Sequence, residues 1–254
     1  MLIRFPFAVS RILNHMRALT FIVLPLTLAL LTACGDDSRS EDDYRGAAQQ
    51  AVRDAVLTLN DLADGWTPSE IGPEALGDLQ LTGDCAPLNG RGAGFPGEVA
   101  SRASEPMTGP AGEELVNTVS AFIDTPAAEA AVQEAEGLVL QCTDQIAEAL
   151  KRAIHVAAED LGVDDLITDI EASLEPGSFT AYGDETRAYL LHADISTFLA
   201  GGYDVNGKIL LIRDGPLTGV LIYAILGDLD PRDEESLAGL LASKLAKAES
   251  ALPD

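Results

Sequence analysis

Basic residues are scarce in this 254-residue chain: 16 Lys and Arg stand against 41 Asp and Glu, a formal net charge of −25. Phosphate backbones are held by basic footprints, so general nucleic-acid binding is excluded. The same balance argues against docking on an anionic bilayer through a polybasic face. Cysteine is also scarce, with three residues, which rules out a disulfide-dense mini-protein. Histidine is no commoner, and His15 lies in the N-terminal segment, leaving His155 and His192. Neither has a Cys, His or acid at metal-ligand spacing, so both read as surface or packed histidines and no metal site is expected. The chain has no nucleophile elbow, Walker loop, zinc-protease motif or dinucleotide fingerprint, so no catalytic residue and no cofactor are expected. The acidic balance does not imply disorder, because 47% of residues are hydrophobic. The length fits one domain of about 200 residues or two small ones.

The three positive residues Arg4, Arg11 and Arg17 lie in a first segment that holds no acid. They precede an uncharged apolar run from Ala18 to Ala33, short for a spanning helix and interrupted by Pro25. Residues 1–33 therefore read as an export signal. The run ends in Leu31-Thr32-Ala33-Cys34, which resembles the bacterial lipobox. That resemblance implies cleavage before Cys34 and acylation of its sulfur and new amino group, with the acyl chains as the membrane partner. An ordinary signal peptide, or an uncleaved anchor with an incidental Cys, is the alternative. The following residues, 34–46, are rich in Asp and Glu and read as a solvated tether. Residues 47–254 read as one α+β domain.

In an oxidising compartment Cys85 and Cys142 are expected to pair; two buried free thiols are the alternative. Helical spacing of apolar residues runs through 44–62, through Ala128–Ala153 after a Thr125 cap and Pro126, and through Leu237–Ala248 after Asp230-Pro231. The middle pattern crosses Cys142 without interruption and predicts one long helix ending near Val156. Strands are expected near Leu79–Cys85, at Glu98–Ser104, Leu115–Asp124, Leu166–Leu174, Thr186–Thr197, Tyr203–Arg213 and Leu217–Leu226. Asp214-Gly215-Pro216 joins the last two as a hairpin. Asp204-x-Asn206-Gly207 reads as a tight turn. Strands grouped by hairpins, with helices between the groups, give an antiparallel sheet packed on two long helices, with a weak pseudo-repeat of strands followed by helix.

Ile209–Ile212 and Val220–Leu226 are apolar on both strand faces, so both faces need cover. One face is expected to take the two long helices. The other is left for the N-terminal segment, a partner or an apolar ligand.

The series Asp61-Leu62-Ala63-Asp64-Gly65-Trp66, Cys85, Ser120-Ala121-Phe122, an Ala-rich helix with Cys142, and Ile209–Gly215 before a terminal helix resembles the PknH-like extracellular sensor domain. This resemblance spans roughly residues 50–250. It implies an antiparallel sheet flanked by helices and a cleft that takes a ligand. Trp66, Tyr189 and Arg213 are the candidate ligand-contacting residues. The expected protein is thus a lipid-anchored extracytoplasmic module that binds a small molecule or protein without catalysis. A carrier of a lipid or other hydrophobic molecule, and a hydrolase with an unrecognised carboxylate pair, are the alternatives.

Overall fold

A computed structural model of the chain describes residues 37–69, 81–89, 94–198 and 201–253. The segment expected to be an export signal, residues 1–33, and Cys34 lie outside the described residues. Among those residues no helix is long and apolar enough to cross a membrane.

The fold is α+β, with eight antiparallel strands in one sheet. In chain order they are β1 (Thr67–Pro68), β2 (Glu98–Ala103), β3 (Met107–Thr108), β4 (Glu114–Phe122), β5 (Ile167–Gly177), β6 (Glu185–Thr197), β7 (Gly201–Asp214) and β8 (Leu217–Leu226). Their spatial order is β1-β3-β4-β8-β7-β6-β5, and β2 pairs with the rest of the β4 edge. The β7–β8 hairpin turns at Gly215, whose φ of 53° suits a residue without Cβ. Asn206 and Gly207 do not form a turn. They lie inside β7, where a Cβ on Gly207 would come within 2.9 Å of the Tyr223 carbonyl oxygen. The glycine serves close strand approach, which leaves the same signature in sequence as a turn.

Among the described residues four α-helices accompany the sheet: α1 (Asp37–Ala55), α2 (Thr125–Gln141), α3 (Thr143–Leu161) and α4 (Pro231–Glu249). The helix α1 starts inside the stretch expected to be a tether. It is anchored from Tyr44 onward, where the hydroxyl donates to the Phe122 carbonyl at 2.5 Å and Ala48, Ala51, Val52 and Ala55 are buried. It ends before residue 62, because the Leu57 amide turns out to Asn117 Oδ1 (3.1 Å) and Asp61 caps Thr58. The predicted single middle helix is two: Cys142 sits at the junction with φ −101° and ψ 10°. The cap of α2 is Asp124 rather than Thr125, accepting from the Ala127 amide at 2.8 Å. Asp230 caps α4 as expected, accepting from Arg232 N at 2.8 Å. No strand forms over 81–85; Gly83–Asn89 is a 3-10 helix containing Pro87, and residues 79 and 80 lie outside the described residues. Cys85 and Cys142 are joined by a disulfide that ties this segment to the α2–α3 junction.

The two long helices α2 and α4 lie on opposite faces of the sheet, not on one. The helices α1 and α4 share one face, burying Leu115, Val119, Leu210, Ile212, Leu217 and Leu221. The closeness of α4 depends on Gly219, since a Cβ there would stand 3.1 Å from both Leu241 and Leu245 side chains. Lys208 of β7 pairs with the buried Glu234 in the first turn of α4 and lies 5.1 Å from the Phe179 ring centroid. The other face is covered by α2, α3 and the 3-10 segment. There α3 buries Ile146 and Ala149 toward Leu174 and Tyr189.

Candidate functional site

The second face is covered incompletely for a reason visible in side-chain size. The helix α2 directs Ala131 and Ala135 at the sheet, and the sheet answers with Ser101, Thr118, Ser120 and Thr218. Short side chains facing short side chains do not meet. A cavity of about 190 Å³ remains between them. Its floor is apolar, from Ile209, Leu211, Val220 and Ile222, and Val132, Val139 and Ile146 close it from the helices. Pro87 and Leu88 form one wall, held there by the Cys85–Cys142 bridge two and three residues away. An engineered apolar cavity of about 150 Å³ accepts benzene. Pockets for drug-sized ligands run from about 300 Å³ upward. This cavity therefore fits a small, largely apolar group.

Tyr189 also lines the cavity and is 4% exposed. Its hydroxyl is buried and has no hydrogen-bond partner among the described residues. Burial and the nearby Glu136 carboxylate push its pKa up, with Arg187 opposing, so the phenol stays neutral and can donate. Four other polar residues of the lining, Glu98, Ser101, Ser120 and Glu136, are engaged. Ser120 Oγ donates to Glu98 Oε1 at 3.0 Å, so Ser101 Oγ, 2.9 Å away, donates in turn to Ser120. Arg187 donates through Nε to Glu136 at 3.1 Å and pairs through Nη2 with Glu185 at 2.7 Å. Glu98 and Glu136 are thus each committed elsewhere, which gives the acid-pair hydrolase reading no support.

The three residues singled out as candidate ligand contacts do not come together. Tyr189 is in the lining. Trp66 is part-buried against the core of the opposite face, beside Gly109. Arg213 is buried and holds the β7–β8 turn: its guanidinium reaches Asp184 at 3.0 Å and Glu185 at 3.3 Å. Asp184 in turn accepts from the Gly215 amide at 3.0 Å. The residues that shape the cavity, Ala135, Thr118 and Thr218, carried no chemical signal in sequence. Their one legible trait was small size at inward positions of α2, β4 and β8.

No family model matches the chain, and no curated protein does. Among solved structures, the extracellular domain of PknH from Mycobacterium tuberculosis is similar at 13% identity over 80% of this chain and 97% of that one, with a TM-score of 0.45. An uncharacterized protein from Mycobacterium smegmatis is similar at 11% identity over 83% and 96%, with a TM-score of 0.32. Likeness at this level leaves the function to be read from the site itself.

Proposed function

We propose that this protein is a non-catalytic binding module outside the cytoplasm, anchored by lipid on Cys34, that takes a small neutral ligand in the cavity between α2 and the sheet. The observation that carries the binding reading is the unpartnered Tyr189 hydroxyl in an apolar chamber. A buried donor left unmade costs about 1–3 kcal/mol. A ligand with an apolar body and one acceptor, such as a carbonyl oxygen, removes that cost and fills the void. The Glu98 and Glu136 carboxylates in the lining disfavour an anion. The volume suits a ring or short chain rather than a membrane-lipid acyl chain, which favours ligand sensing over lipid carriage. The lipobox pattern and the bridged cysteines support export and anchoring.

Acetophenone serves as the probe. It is expected to raise the melting temperature of the full-length chain, and Ala135→Phe, which fills the cavity, is expected to abolish that shift. An equal shift in Ala135→Phe, or none in the wild type, sinks the reading. For the anchor, Cys34→Ala is expected to release the protein from membranes; retention overturns it.

A further inference from the structure

The paired strands β6 and β7 set His192 opposite Asn206 and Asp194 opposite Asp204. Residues two apart on a strand share a face, so all four side chains meet on one patch. It lies on the α1–α4 face, on a wing left to solvent, where the His192 side chain is 43% exposed. Sequence spacing within one strand could not show this, because the second acid, Asp204, comes from the neighbouring strand.

The hydrogen bonds decide which imidazole nitrogen is free. Asn206 Nδ2 donates to the Gly227 carbonyl at 2.8 Å, which turns the amide oxygen toward His192. His192 Nδ1 lies 2.8 Å from that oxygen. An amide oxygen only accepts, so Nδ1 carries the hydrogen and Nε2 is left facing Asp194 Oδ2, 3.3 Å away. In the neutral ring that nitrogen presents a lone pair to a carboxylate. Asp204 adds a second carboxylate, and the three ligand-type atoms lie within 4.8 Å of one another. The arrangement calls for a cation between them. Tetrahedral zinc with bonds of about 2.0–2.2 Å separates neighbouring ligand atoms by about 3.4 Å, close to the spacing of His192 and Asp194. The Asn206–Gly227 link is the kind of outer support that fixes a metal-binding histidine. One imidazole with two carboxylates suits a borderline divalent metal better than calcium or magnesium, which prefer all-oxygen sites.

We propose that His192 Nε2, Asp194 and Asp204 bind one divalent transition-metal ion of the zinc type, with Asn206 as the positioning residue and solvent in the fourth position. The site is separate from the cavity, which lies on the other face, and stands or falls independently of it.

The full-length chain, stripped with chelator, is titrated with Zn²⁺ by calorimetry and with Co²⁺ by visible absorption. One equivalent of each is expected, with a tetrahedral Co²⁺ spectrum. His192→Ala is expected to lose the Zn²⁺ site, Asp204→Asn to weaken it at least tenfold, and Asn206→Ala to weaken it by about 10–100-fold. His155→Ala, on α3, is expected to leave it unchanged. Chelator-treated variants that melt like the wild type show that the fold survives. Binding that persists in His192→Ala overturns the proposal. So does a wild type that binds no more tightly than His192→Ala, which would mean that a proton alone completes the cluster.

Discussion

On one face of the sheet, Leu241 and Leu245 of α4 descend onto β8 at Gly219, and both are buried, as is Leu237 one turn earlier. On the other face, Ala131 and Ala135 of α2 stand above Thr118, Ser120 and Thr218, and a chamber opens between them. Ile209–Ile212 and Val220–Ile222 offer apolar side chains to both sides. What differs is the reach of the side chains that oppose them. Leucine against glycine interdigitates to native density, whereas alanine against threonine and serine leaves room. Among the described residues both faces carry an unpartnered buried donor, Asn117 Nδ2 on the closed face and the Tyr189 hydroxyl on the open one. Asn117 still uses its oxygen to bind the Leu57 amide and so ends α1. One face is built for stability and the other holds space.

The largest expected break comes from the staple of the open face. Replacing both cysteines, Cys85→Ser with Cys142→Ser, frees a 57-residue separation and is expected to cost about 4 kcal/mol in the chain-entropy account. Chemical denaturation measures it, and acetophenone binding should vanish with it because Pro87 and Leu88 lose their station. The next test sets one face against the other. Leu245→Ala, at a residue 0% exposed, is expected to cost about 3 kcal/mol. Val220→Ala, half-buried at the cavity floor, is expected to cost about 1 kcal/mol or less, because the space beside it is already empty. Similar losses from both would erase the distinction between the faces.

Tyr189→Phe sharpens the comparison in the opposite direction. It removes an unpartnered hydroxyl, so thermal stability is expected to hold or rise by about 1 kcal/mol while acetophenone binding weakens. The smallest effect concerns the closed face in acid. Burial raises the Asp61 pKa, but hydrogen bonds from Lys244 (2.8 Å) and Thr58 outweigh it and hold the carboxyl below its ordinary value. A group depressed on folding stabilises above its unfolded pKa, and that stability is lost as pH falls through the folded one. Wild type is therefore expected to lose a few tenths of a kcal/mol in the window just below the usual carboxylate range, of the size of exposed ion pairs. Asp61→Asn should flatten that loss in pH-dependent melting.

The strands were largely legible. Apolar runs and the turn between them placed Leu217–Leu226 to the residue and Tyr203–Arg213 to within two, and alternation placed Thr186–Thr197 to within one. The break at Cys142 was not, because Leu138, Cys142 and Ile146 keep helical spacing across it. Nor was the assignment of α2 and α4 to opposite faces, since each has one apolar stripe and a stripe does not say which side of a sheet it meets. The start of α1 at Asp37 was hidden by acids that suit a tether and a helix N-terminus alike. Tyr189 stood out as an inward aromatic, but the cavity around it is made by what alanine, serine and threonine fail to fill. The His192 cluster depends on strand register. Its trace in sequence is a pair of i, i+2 polar residues in each of two neighbouring strands, His192 with Asp194 and Asp204 with Asn206.

The most direct test of two unlike faces is a methyl NMR titration of the protein with acetophenone. Shifts are predicted at Val139, Ile209, Val220 and Ile222, which line the chamber, while Leu241 and Leu245 on the closed face stay still. Silent methyls at the chamber, or shifts of equal size at Leu241 and Leu245, would contradict the account.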